Sequence, residues 1–138
     1  MVGYFIAGYR IGKNMPGAPV FTVYLGINTV NKNINGVGEV TQATNPPLGI
    51  ETVLNGSFAY MCIMPNECHV LVKLGGVPCS EHPEHPSGIL NTDLHMVLGD
   101  DWKSGTATYR YRDGGKWVEV TDAPVERVEV PTTPPVND

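Results

Sequence analysis

No stretch of this chain repeats its apolar residues at helical spacing. They alternate instead in short runs, which Gly, Pro and Asn interrupt every dozen or so positions. Such a pattern builds sheets, and it leaves no segment for the crossover helices of an α/β fold. Composition agrees, because Val, Ile and Thr supply 35 of the 138 residues against 14 for Ala plus Leu, so residues suited to pleated strands outnumber the best helix formers. That length holds one domain of ordinary size. The expected architecture is all-β, an antiparallel β-sandwich of about seven to nine strands, with a closed β-barrel as the alternative. Residues 1–130 form the domain in this reading, and residues 131–138 a proline-rich C-terminal tail.

The last hairpin is the clearest local feature. With Gly114-Gly115 as the two turn residues, Tyr111 faces Val118, Tyr109 faces Val120, Arg110 faces Glu119 and Arg112 faces Trp117. A slip of one residue would lose the apolar pairs and the Arg110–Glu119 pair together, so this register is the predicted one. Upstream, Val70, Val72 and Leu74 share one face of a strand, and Leu90, Thr92, Leu94, Met96 and Leu98 share a face of the next. Val20 to Val30 and Ile34 to Thr44 read as a hairpin around Asn31-Lys32-Asn33. Ile50 to Met64 is a long strand bent or bulged near Asn55-Gly56, and Val125 to Val130 reads as one more edge strand after Pro124.

Charge is sparse and uneven. Up to Asn66 only Arg10, Lys13, Lys32, Glu39 and Glu51 are charged, whereas the rest of the chain carries a net charge of −6 and the whole −5. Sheet proteins normally guard exposed edges with Lys and Glu, so the first half of this one is expected to self-associate. Ser57 to Met64 stands out, with apolar residues on both faces, and Asn14 to Asn31 has no charge at all. An acidic chain without a Lys/Arg cluster excludes nucleic acid as the expected partner. The longest apolar run is far shorter than the ~20 residues of a membrane helix, which points to a soluble chain with no membrane span. No basic stretch precedes the N-terminal apolar residues, so the expected location is cytoplasmic by default, with non-classical export left open. Reduced thiols are the corresponding default for Cys62, Cys68 and Cys79, and a Cys68–Cys79 disulfide stays open as the alternative.

Several strings carry a resemblance: Gln42 to Pro47 (QATNPP), Tyr60-Met61 with Met64-Pro65, His69-Val70-Leu71-Val72, and Asp100 to Tyr111 (DDWKSGTATYRY). Together they resemble a bacterial family of small β proteins classed as domain of unknown function eighteen forty-two. The resemblance covers roughly Tyr4 to Val130. It implies a compact single domain and supplies no catalytic residues.

Three residue sets qualify as candidate sites. Cys79, His82 and His85 read C-x-x-H-x-x-H with interleaved carboxylates, ligand types that zinc accepts, and Cys68 or His95 would have to complete the shell. The competing reading is a polar, proline-stiffened surface loop. Asn91, Asp93, Asp100, Asp101 and Trp102 combine oxygen donors with an aromatic ring, the mix used by calcium and carbohydrate sites, although Gly99-Asp100-Asp101 is also ordinary turn chemistry. For nucleophilic catalysis the residues are unfavourable: Cys68 and His69 leave opposite faces of one strand, and no catalytic motif occurs. The chain therefore reads as no enzyme, with no catalytic residue and no required cofactor, and calcium or zinc as the candidate ions. The leading expectation is a non-catalytic protein acting through self-assembly or binding as a homo-oligomer. A lectin-like carbohydrate or calcium module is the alternative, and a metal protein or hydrolase built on Cys79, His82 and His85 comes third. The Pro131 to Asp138 tail would dock in a groove on its own domain or on a neighbouring copy.

Overall fold

The computed structural model describes residues 3–44, 47–78 and 90–131. Eight strands follow one another: β1 (Tyr4–Ile11), β2 (Val20–Asn28), β3 (Asn33–Gln42), β4 (Leu48–Met64), β5 (Glu67–Pro78), β6 (Thr92–Gly99), β7 (Ser104–Asp113) and β8 (Lys116–Val128). Each is antiparallel to its neighbour in sequence, and β8 returns to β1, so the sheet closes as an up-and-down barrel. The all-β antiparallel expectation holds. Of the two closures it allowed, the chain adopts the barrel, which leaves no second sheet for a sandwich.

Closure follows from what fills the interior. Alternate residues of every strand point inward, and large side chains meet glycines across the ladders: Leu54 lies between Gly36 and Gly76, Leu74 faces Gly56, and Leu98 faces Gly105. Small barrels admit their side chains by this kind of alternation. At Gly56 a Cβ would run into the Lys73 carbonyl, and at Gly105 into that of Val97, so these positions have room only for hydrogen. Tyr9, Phe21, Leu25, Ile27, Leu54, Leu74, Leu94, Met96, Leu98 and Tyr109 are fully buried in the lumen, which is therefore a packed core. The outer surface carries Arg10, Glu39, Glu51, Lys73, Asp93 and Arg110. Apolar inside and charged outside is the reverse of the pattern of a barrel in lipid. No helix among the described residues is long and apolar enough to cross a membrane.

The predicted β7–β8 register is the one observed, with Gly114 and Gly115 at φ 59° and 86°, the left-handed pair that a two-residue hairpin turn requires. Past Tyr109–Val120 the ladder shifts: Ala107 next faces Ala123, so Thr121 and Asp122 together oppose Thr108, with Asp122 at φ 53°. This bulge moves the inward side from Val118 and Val120 to Ala123 and Val125. The segment after Pro124 was expected as a separate edge strand. It continues β8 instead, pairing Val125 to Val128 with Ile11 to Gly8 and sealing the barrel.

The connections β2–β3, β4–β5 and β6–β7 lie at one end of the barrel, here the arm end, and the other four at the opposite, loop end. β4 outruns its neighbour at the arm end. Its pairing with β3 stops at Ser57–Asn33, whereas with β5 it continues to Met64–Glu67, so a hairpin arm projects beyond the barrel wall. Cys62 and Cys68 face each other on this arm and form a disulfide. That corrects the expectation of reduced thiols there and excludes the Cys68–Cys79 alternative, because the Cys68 sulfur is already bound.

Candidate functional site

At the arm end, the β6–β7 turn folds inward. Trp102 adopts φ 64°, a backbone conformation that costs a bulky residue about 1–2 kcal/mol, and this turns its ring into the barrel mouth. There it packs edge-on against Phe5 and Phe58, with ring centroids 5.2 and 4.9 Å away, and is only 7% exposed. Its carbonyl accepts a 2.8 Å hydrogen bond from the Tyr9 hydroxyl, and its N–H donates to Gly99 O. Asp101 Oδ1 accepts from Lys103 N–H and holds the turn. Burial pushes the Tyr9 phenol up to about 12.

Asn91 and Asp93 lie at the other end of β6. Its eight residues span roughly 25 Å, so the structure does not bring them together with Asp100, Asp101 and Trp102. Asn91 is engaged through all its polar groups: its N–H donates to Gly76 O, its carbonyl accepts from Arg112 N–H, its Nδ2 donates to Glu51 O, and its Oδ1 accepts from the Thr52 hydroxyl. Thr92 meets Thr52 at 2.9 Å, and both threonines are fully buried. The Asp93 carboxylate is held by Arg110 at 2.8 Å and lies 3.5 Å from His95 on the outer surface. Arg110 and Arg112 cover the Trp117 ring, 5.0 and 5.7 Å from its centroid.

Cys79, His82 and His85 lie outside the described residues, as does the tail beyond Pro131. Of the residues proposed to complete a zinc shell, Cys68 is in the disulfide and His95 is beside Asp93. Among the described residues no three His, Cys, Asp or Glu side chains converge on one point. A shallow open groove of about 520 Å³ crosses the outer wall, lined by Thr22, Tyr24, Val37, Gly38, Glu39 and Glu51. The two carboxylates of that groove face each other directly across β3–β4.

Among the described residues the β4–β5 arm gathers the most exposed apolar side chains on consecutive positions. Tyr60, Met61, Ile63 and Met64 are 50, 49, 70 and 62% exposed, and every residue from Ala59 to Met64 is exposed. Tyr4, Ile6 and Val30 add exposed apolar surface at the same end of the barrel. The sequence marked Ser57 to Met64, but it marked Asn14 to Asn31 equally. In β2 that second stretch buries Phe21, Val23, Leu25 and Ile27 inside its own barrel, and outside β2 it exposes Met15 and Val30 singly, whereas the arm exposes its apolar residues as a group. What the sequence reading missed is the unpaired edge of β4. Cys62 and Cys68, flanking Pro65-Asn66, were the available signal that the hairpin continues to its tip.

A family model described as Domain of unknown function (DUF1842) matches residues 2–117. The chain belongs to this family. The DUF1842 match contains all the strings that carried the resemblance and ends at the second residue of β8, short of the Val130 expected. The arm and the Trp102 turn fall inside it, and the strand that closes the barrel falls almost wholly beyond it. No curated protein matches the chain.

Proposed function

We propose that this protein is non-catalytic and acts by self-assembly, as a homo-oligomer held through the β4–β5 arm. The observation that carries the reading is the placement of Tyr60, Met61, Ile63 and Met64. The barrel had inward positions for its apolar residues and filled them, yet these four stand together on a projection. Exposed apolar surface of this kind marks a contact site. The packed lumen supports the same reading, since it leaves a ligand no place among the buried side chains. Sedimentation velocity or light scattering at ~100 μM, where micromolar contacts are populated, tests it. An oligomer is expected, and a monodisperse monomer overturns it.

A further inference from the structure

The edge of β4 is open over a defined stretch. Phe58 N–H donates to Lys32 O, the last backbone hydrogen bond between β4 and its neighbour on that side, and from Ala59 onward β4 has, among the described residues, only β5 paired with it. Backbone groups alternate along an antiparallel strand, so Tyr60 and Cys62, two and four residues on, aim their N–H and C=O groups the same way as Phe58. The Cys62–Cys68 pair agrees. Its Cα atoms are 4.0 Å apart, the close spacing of a pair whose N–H and C=O groups turn away from each other. The open edge therefore presents two donors and two acceptors in strand geometry.

The surroundings of this edge say what fits it. No charged residue lies between Glu51 and Glu67, although the chain as a whole is at −5. Two acidic molecules meet at least cost where the facing edges carry no charge, and a partner selected by charge finds only Glu67, on β5 at the tip of the arm, to read. On the outer face Ala59 faces Leu71, which faces Val97, while Met61 at the next outward position faces His69, so an apolar patch with one histidine beside it reaches the edge itself.

We propose that a second copy of this chain covers the edge, with β4 pairing antiparallel to β4 about a two-fold axis at Met61. In that register Tyr60 faces the partner's Cys62, Cys62 faces the partner's Tyr60, and four N–H···O=C bonds form. Met61 faces the partner's Met61 across a non-hydrogen-bonded position, and the two outer patches become one. A two-fold contact must be self-complementary, and this uncharged edge with matched donors and acceptors is so. The proposal deepens the self-assembly reading and rests on it.

The test uses the full chain. Met61→Lys places like charges across the axis, while half-exposed Met61 contributes little to the barrel, so the variant should keep the wild-type melting temperature and dissociate with a Kd at least tenfold weaker. A photo-crosslinking amino acid at position 61 should give covalent dimers, and one at the outward Thr106 should not. If the wild-type protein is a monomer at ~100 μM, self-assembly and edge pairing both fall. If it is an oligomer whose affinity Met61→Lys leaves unchanged and whose position 61 does not crosslink, only the edge pairing falls.

Discussion

The Tyr9 hydroxyl reaches across the barrel mouth to the Trp102 carbonyl at 2.8 Å, tying β1 to the turn that plugs the arm end. Both groups are buried, so Tyr9→Phe leaves an acceptor without its donor, and we expect a loss of about 1–2 kcal/mol. Trp102→Ala empties the space between Phe5 and Phe58 and should cost about 3–5 kcal/mol, with no relief of the positive φ because alanine keeps the Cβ. Chemical denaturation of the two variants checks both figures.

High pH should unfold the protein through its buried phenols. Burial raises the Tyr9 pKa to about 12 and raises those of Tyr109 and Tyr111. In the unfolded chain these groups ionise near the usual ~10, so above that pH the unfolded state binds fewer protons than the native state and is favoured. Their contribution is intact below pH ~10 and is lost as pH rises towards about 12. Urea midpoints should fall over that window, and Tyr9→Phe should flatten the fall.

Reducing the Cys62–Cys68 disulfide should loosen the arm and spare the barrel. The bridge spans only six positions, a short loop whose closure contributes on the order of 2 kcal/mol, and no barrel strand other than β4 and β5 depends on it. Amide exchange should therefore accelerate from Ala59 to His69 on adding reductant, while exchange at Leu94 and Tyr109 stays unchanged. Equal acceleration at all these sites would mean that the arm and the wall unfold together.

Thr52 and Thr92 form a buried polar pair that also serves Asn91. Thr52→Val keeps the shape and deprives Asn91 Oδ1 of its donor, with an expected cost of about 1–3 kcal/mol. Gly76→Ala should be worse, because the added methyl would collide with both hydroxyls. Thermal melts of the two variants should rank them in that order.

Glu39 and Glu51 oppose each other on the outer wall, where like charges destabilise a sheet. Glu51→Lys should raise stability by roughly 0.5 kcal/mol, and the gain should shrink in high salt. A stability loss would show that the carboxylates have favourable partners at the groove.

The strands were legible because alternation is a local property: the faces of β5 and β6 and the register around Gly114-Gly115 needed only neighbouring residues. Closure was not, since a sandwich and a barrel use the same strand count. What separates them is Leu54 between Gly36 and Gly76, visible only once two registers are known together. In sequence both glycines fall inside strands, with nothing to mark them as the partners of Leu54. The candidate ligand set failed to converge for a related reason, as Asp93 and Asp100 are seven positions apart along an extended strand, where proximity in sequence means separation in space. Cys62 and Cys68 were obscured by the bulge near Ile63, which sets them an uneven count from the turn.

The β1–β8 seam joins Ile11 to Val125 and Gly8 to Val128, whereas every other pairing links strands adjacent in sequence. During synthesis, then, seven hairpins can form as the chain emerges, but the sheet stays an open meander with two bare edges until β8 has left the ribosome. The four residue pairs of the seam come last and bear the largest loop-closure entropy. A chain truncated within β8 would keep almost the whole core sequence and still lack the strand that ends its stickiness.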